Sequence, residues 1–243
     1  MVTVLEFLRR ESGEDLRLKG LPAGEKEIRF IRRLPSKKNA VHLLVTGEGD
    51  LVAKVFLVDR ARHEYQVLLR LLEAGVRVPR PYLREGRVLL MEHVEGENMV
   101  DLLNRTLDDR CARALAGWFA SLHLSFLEGE RTLIKSDSKL KNFIWNDGVV
   151  GVDFEMAREG SPVEDIGEVC SQILDTDPMF TPDKYRLCWE LLDEYVALTG
   201  IGLIGLNDSI VQSLREAARF RPAQGELLLS KAEELRGRGE FDR

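Results

Sequence analysis

Cysteine is scarce and poorly placed for chemistry. The three cysteines of this 243-residue chain, Cys111, Cys170 and Cys188, lie far apart with no metal-ligand spacing, and an odd number cannot all pair within one chain. Free buried thiols are the expectation. Long hydrophobic runs are missing too: none approaches the roughly 20 residues that span a bilayer, so no membrane partner is expected. No basic-then-apolar leader follows Met1, which points to a cytoplasmic protein. An excess of positive charge is also absent. The net charge of −6 argues against a chain that coats itself with nucleic acid, although the first 42 residues carry ten Lys/Arg against six Asp/Glu, a local balance of +4. Asn and Gln are sparse beside Arg, Lys and Glu, a bias associated with proteins that work hot. There is no internal repeat, low-complexity tract or flexible Gly/Ser linker, so the chain reads as continuously folded.

What is present changes texture along the chain. Residues 1 to 12 have the pattern of a short amphipathic helix. Ile28 to Leu34, Ala40 to Thr46 and Leu51 to Leu57 read as three strands of an antiparallel meander, joined by Pro35-Ser36-Lys37-Lys38-Asn39 and Gly47-Glu48-Gly49-Asp50. A helix is expected from about Arg60 to Ala74 and a further strand from Arg87 to His93, ending in the polar stretch Glu95 to Asn98. Beyond it helices dominate. Cys111, Leu115, Trp118, Phe119, Leu122 and Phe126 recur at helical spacing behind the acidic start Asp108-Asp109, so they belong to one long buried helix. Later helices are expected around 164–175, 183–198 and 208–236. The resulting fold class is α+β and bilobal, with a small antiparallel β-rich lobe over residues 1–92 and a larger helical lobe over residues 93–243.

The stretch Ile134 to Phe154 carries the chemistry. Two apolar strands flank Asn146-Asp147-Gly148, and with Asp147-Gly148 as the centre of a two-residue turn, Trp145 faces Val150, Phe143 faces Val152 and Asn142 faces Asp153. Such cross-strand partners have Cβ atoms roughly 5 Å apart, close enough for an amide oxygen and a carboxylate to share one hard cation. Mg²⁺ prefers that kind of oxygen set together with phosphate oxygens. Asp137, five residues before Asn142 on the preceding loop, can face the same point, orient an attacking hydroxyl and accept its proton. Earlier in the chain, Glu64 shares a helix face with Leu68, Leu71 and Leu72 and therefore points inward. A buried carboxylate needs a partner, and Lys54, ten residues before it, is the natural one. Taken singly, a lysine in a strand or an aspartate before a turn is ordinarily a solvated surface residue. The set, in this order and at this spacing, carries the reading.

The arrangement Asp137-x-x-x-x-Asn142, a hairpin, then Asp153-Phe154 resembles the catalytic and metal loops of protein kinases and aminoglycoside phosphotransferases. Val52-Ala53-Lys54-Val55 is similar to the strand whose lysine holds the α- and β-phosphates of ATP. Pro35 to Val41 stands at the phosphate-covering loop, and Ser36 to His42, with Ser36 and Asn39, resembles the Ser-Asn loop of the aminoglycoside and choline kinase branch. Leu122-His123 and Asp165 also match that branch, where the aspartate braces the catalytic loop. Met91, Glu92 and Val94 fall on the hinge that receives adenine, and Lys139 stands where many Ser/Thr kinases have a γ-phosphate lysine. Three departures matter. Lys135-Ser136 precedes Asp137 where the family has His-Arg or His-Gly. Glu155 replaces the glycine after Asp153-Phe154, which suggests no Phe-flipping switch. Only twelve positions separate Asp153 from Asp165, too few for an activation segment with a phosphosite.

The resemblance implies an ATP-dependent, Mg²⁺-dependent kinase with an alcohol acceptor. Asp137, Lys139, Asn142 and Asp153 would be catalytic, Asn142 and Asp153 metal-binding, and Lys54, Glu64, Ser36, Asn39, Val52, Met91, Glu92 and Val94 nucleotide-binding. Lysines 37, 38, 135, 139 and 141, with Arg215, Arg219, Arg221, Arg236 and Arg238, suggest a polyanionic acceptor. Among compact kinases the chain is most similar to the archaeal RIO-related and Bud-type group, which includes a kinase acting on a tRNA ribose 2′-hydroxyl, so an RNA acceptor is the expectation. A small-molecule kinase of the aminoglycoside or choline type, or a Ser/Thr protein kinase, would use the same ATP site. A non-catalytic nucleotide-binding module is the remaining alternative.

Overall fold

The computed structural model describes residues 2–17, 26–36, 38–238 and 241. The chain divides into two compact units, one of Met1–Glu95 with Asp153–Glu155, the other of Gly96–Val152 with Met156–Arg243.

The first unit is built on a six-stranded antiparallel sheet. Its elements are β1 (Val2–Thr3), α1 (Val4–Ser12), β2 (Glu27–Leu34), β3 (Ala40–Thr46), β4 (Leu51–Val55), α2 (Ala61–Glu73), β5 (Pro81–Glu85) and β6 (Val88–Glu92), and the strand order is β1-β2-β3-β4-β6-β5. Helix α1 starts on a reciprocal cap in which Glu6 N–H donates to Thr3 Oγ1 at 3.2 Å and Thr3 N–H to Glu6 Oε2 at 2.8 Å. It ends at Gly13, whose φ of 69° is a left-handed position that glycine adopts without strain. The apolar face of α1, Val4, Phe7 and Leu8, joins Leu44, Leu51, Ala53, Val55, Val88 and Leu90 in one buried cluster. Side chains alternate along a strand, so Lys54, between Ala53 and Val55, points to the opposite face. Strand β5 escaped sequence reading because Pro81, Tyr82, Arg84 and Glu85 break the apolar alternation.

The second unit holds β7 (Glu97–Asn98), α3 (Met99–Thr106), α4 (Asp109–Ser125), β8 (Thr132–Ile134), β9 (Phe143–Trp145), β10 (Val149–Gly151), β11 (Arg158–Gly160), α5 (Pro162–Leu174), α6 (Pro182–Thr199), α7 (Leu206–Phe220) and α8 (Gly225–Arg238). Helix α4 buries Cys111, Leu115, Trp118, Phe119, Leu122 and His123 and packs against α6, while α7 packs against both α5 and α8. All three cysteines are free and buried. The single helix expected over 208–236 is two helices, broken at Arg221-Pro222 because proline has no N–H to continue the ladder. Helix α3 went unpredicted: it is only eight residues long, and its start is the polar Asn98, whose side chain accepts the Val100 N–H at 3.0 Å. Among the described residues no helix is long and apolar enough to cross a membrane.

The β9–β10 hairpin corrects the expected register by one residue. Trp145 pairs with Val149, Ile144 with Val150 and Phe143 with Gly151, so the loop is the three-residue Asn146-Asp147-Gly148. Asp147 and Gly148 both have positive φ, 46° and 128°, and Asn146 N–H bonds the Gly148 carbonyl at 2.8 Å. A left-handed residue at the end of a three-residue loop is the common alternative to the two-residue turn, and here it draws Asn146 out of the strand. The consequence is that Asn142 faces Val152, whose N–H donates to the Asn142 carbonyl at 2.9 Å. Strand register therefore does not set Asn142 opposite Asp153; Asp153 is the next residue along.

Candidate active site

In the first unit the candidate side chains gather around one ammonium. Lys54 is only 5 % exposed, and its Nζ lies 2.7 Å from Glu64 Oε2, 2.7 Å from Asp153 Oδ1 and 3.3 Å from Glu155 Oε2. Burial alone would drive the lysine toward its neutral form, but the Glu64 and Asp153 charges outweigh it and its pKa is raised. Glu64 is held by α2, whose buried face is Ala61, Glu64, Val67, Leu68 and Leu71. Its second oxygen accepts the Phe154 N–H at 3.0 Å, which ties the Asp153-Phe154 segment to the helix. Asp153 takes a left-handed φ of 64°, a conformation that costs a non-glycine residue free energy and recurs where a side chain must be aimed. Asn39 donates from Nδ2 to Glu155 at 2.5 Å, accepts the Leu57 N–H at 3.3 Å, and sends its own N–H to Ser36 Oγ at 3.2 Å. Ser36 itself is exposed.

The remaining nucleotide candidates line strands of the same sheet. Val52 is cross-strand partner of both Leu43 and Met91, and Met91 is buried on β6. Glu92 ends β6; its N–H donates to the Arg80 carbonyl at 2.9 Å and its carboxylate accepts the Arg80 N–H at 3.0 Å. Val94 follows, half-buried, outside any strand.

In the second unit the loop 135–142 is organised by α5. Asp165, fully buried, accepts the Lys135 N–H at 2.6 Å, the Ser136 N–H at 2.8 Å and the Ser138 hydroxyl at 2.8 Å. Its other neighbour is His123 Nε2 at 3.3 Å, and His123 Nδ1 reaches the Tyr195 hydroxyl at 2.8 Å. Burial works to raise the Asp165 pKa, but the His123 bond and charge and the two backbone N–H groups prevail and hold it below its ordinary value. Asp137 is gripped within its own loop: Asn142 Nδ2 donates to its Oδ2 and to its backbone carbonyl, each at 3.0 Å, and Lys139 pairs with its Oδ1. Since Asn142 donates through nitrogen, its Oδ1 is the atom left to serve as a ligand.

Lys135 corrects the expected set of surface cations. It is fully buried, donating to the Asp137 carbonyl at 3.1 Å and lying 5.7 Å from the Phe143 ring centroid. Lys38 and Lys141 are exposed and Lys139 half-exposed, while Lys37 lies outside the described residues. Of the arginines, Arg215 pairs with Glu233, Arg221 with Asp175 and Arg238 with Glu234; Arg219 and Arg236 are exposed. Two further acids, Glu168 and Glu155, are not singled out by the sequence as site residues. Glu168 stands one turn after Asp165 and accepts the Ser138 N–H at 2.6 Å; its signal was the i, i+3 spacing of carboxylates on one helix. Glu155 was noticed only as a missing glycine.

The RIO domain family model matches residues 50–154. No curated protein matches the chain. Among solved structures, an amicoumacin kinase in complex with AMP-PNP, Ca²⁺ and Ami superposes with a TM-score of 0.69 at 11 % identity, covering 87 % of this chain and 89 % of that one. A choline kinase from Streptococcus pneumoniae gives 0.64 at 15 % identity over 86 % and 93 %, and a choline/ethanolamine kinase family protein from Mesorhizobium loti gives 0.63 at 14 % over 90 % and 92 %. The fold is the one these solved structures share, with an antiparallel sheet in one unit and helices in the other.

Proposed function

We propose that the chain is a kinase that transfers the γ-phosphoryl group of ATP to a hydroxyl acceptor. The observation that carries this reading is Lys54, buried and held 2.7 Å from both Glu64 and Asp153. A lysine fixed in this way is a preset anchor for phosphate oxygens, and phosphoryl transfer consists mainly of placement and charge neutralisation. The donor set suits magnesium: Asn142 Oδ1 and the Asp153 carboxylate, 37 % exposed as a side chain, are hard oxygen ligands with no sulfur or imidazole among them. Magnesium bound there would offset the charge of the transferring phosphoryl group. In this reading Lys54 anchors the α- and β-phosphates, Glu64 fixes Lys54, and Ser36 and Asn39 serve the phosphate end. Val52, Met91, Glu92 and Val94 take the adenine. Asp137 positions the acceptor hydroxyl and takes its proton, and Lys139 moderates the charge that builds up there.

For the acceptor we favour RNA, a tRNA ribose 2′-hydroxyl, on the match of residues 50–154 to the RIO domain and on the exposed Lys38 and Lys141. A second reading, a small-molecule alcohol, is favoured by the burial of Lys135, which removes one cation from the polyanion argument, and by the small-molecule kinases among the fold neighbours. The test is transfer from labelled ATP into RNA, protein and metabolite fractions of a cell extract, with Asp153→Ala as control. The variant, folded, should consume no ATP; near-normal turnover refutes the metal assignment. Transfer to tRNA should weaken steeply with salt through counterion release. Label found only among metabolites would replace the RNA reading with the small-molecule one.

A further inference from the structure

Helix α5 presents two carboxylates, one turn apart, to the loop that carries Asp137. Asp165 takes the N–H on one side of Asp137, that of Ser136, and Glu168 takes the N–H on the other, that of Ser138, at 2.6 Å. The peptides flanking Asp137 are thus pinned to two rigid points of a single helix, although Ser136 has a left-handed φ of 59° that a free loop would relax. We propose that Glu168 is a positioning residue for phosphoryl transfer, which clamps the peptide following Asp137 and sets a second negative charge beside it. This rests on the kinase reading above.

The two acids of α5 differ in how firmly they hold their charge. Asp165 is kept ionised by His123 and its backbone donors. Glu168 lacks a compensating histidine, and burial pushes it up to about 7, with the Ser138 N–H and Lys139 opposing and the Asp137 and Asp165 charges adding to the rise. Of those four groups, three come from the loop and one from its own helix. Near neutrality, then, Glu168 gains or loses a charge next to the group that must accept the acceptor's proton. Ionised, it sets a negative charge beside Asp137; protonated, it does not.

The experiment compares Glu168→Ala and Glu168→Gln with the wild type in two ways. The first is hydrogen–deuterium exchange of the 135–142 segment in nucleotide-free protein, with β2 and β3 as the internal control. Exchange there should quicken in the alanine variant and return to the wild-type rate in the glutamine variant, whose side-chain oxygen can still accept the Ser138 N–H. The second is the pH profile of kcat. Alanine should lower kcat about 10- to 100-fold with little change in the KM for ATP, as expected when a reacting group is misplaced. Glutamine keeps the bond but carries no charge, so its kcat should stay near the acid-limit wild-type value at every pH, and the fall in rate expected of the wild type as pH drops through about 7 should be absent. Unchanged exchange in the alanine variant overturns the clamp. An active wild type whose glutamine variant keeps the same pH profile overturns the charge role. A wild-type protein that consumes no ATP overturns the kinase reading itself, and is told apart because the exchange comparison does not depend on turnover.

Discussion

Lys184 is the most exacting place to test the energetics of the helical unit. Its side chain, on α6, is fully buried, donating to Thr176 Oγ1 at 2.9 Å and to Asn104 Oδ1. Burial lowers its pKa from 10.5 to about 8, while Cys188 and the Asp175 and Asp177 carboxylates pull the other way. The folded state therefore holds the proton less tightly than the unfolded chain does. Below pH 8 the penalty of keeping the ammonium buried is fully present. Between about pH 8 and 10.5 the unfolded chain binds more protons, so stability rises with pH across that window. A displacement of this size corresponds to about 3 kcal/mol at most, and screening by water at the rim of the cluster reduces the expected figure to about 1 to 3 kcal/mol. Lys184→Met removes the charge at similar length. It also removes two hydrogen bonds, at about 1 kcal/mol each, but Asn104 Oδ1 keeps the Thr176 hydroxyl as a donor at 3.0 Å. At pH 7 the variant should unfold within about 2 kcal/mol of the wild type, and the wild type should gain on it by about 1 to 3 kcal/mol on moving to pH 10. Urea unfolding of both proteins at the two pH values measures this. A difference between them that does not change with pH refutes the argument, because it would mean that Lys184 titrates alike in both states.

Other expectations follow from close packing and paired charge. Glu64→Ala strips one of three carboxylates from Lys54 and the acceptor from the Phe154 N–H; a loss of about 3 kcal/mol is expected in urea, with at least tenfold weaker nucleotide binding by calorimetry, and unaltered binding would mean that Lys54 is not the phosphate anchor. Gly151→Ala would bring a Cβ within 2.3 Å of Trp118 Cζ2, so the indole must move; about 1 to 3 kcal/mol of destabilisation and a changed tryptophan emission are expected, and a spectrum identical to wild type would count against this packing. Tyr195→Phe removes the hydroxyl at His123 Nδ1; a cost of about 1 to 2 kcal/mol is expected from thermal unfolding, and no measurable shift would show that water replaces it.

The parts legible in the sequence are those where one local pattern outweighs its rivals. The three-strand meander, α2 and α4 each bury a regular apolar face, so period alone located them. The inward face of α2 likewise paired Glu64 with Lys54, since a buried acid has few ways to be satisfied. Where two local rules compete, sequence reading misplaced the answer. Asp147-Gly148 signals a two-residue turn, yet the same glycine serves a three-residue loop equally well, and one added residue moves every partner of β9. Pro222 is an ordinary first-turn residue when read forward from Arg221, and a break only when the helix behind it is already known. Lys135 looked like a surface cation because lysine nearly always is; nothing local announces that a backbone carbonyl and the Phe143 ring enclose it. Glu168 could have been suspected from its spacing to Asp165, but what it holds is a backbone N–H 30 positions earlier, which no local pattern encodes.

The sheet-bearing unit is not one continuous stretch of chain: Asp153 to Glu155 belong to it, although 57 residues of the helical unit intervene. Recombination that treats the first 95 positions as a portable module would strip Lys54 of two carboxylates and Asn39 of its acceptor. A working chimera has to transplant both segments together, so these three residues should travel with their lysine whenever the halves of such proteins are exchanged.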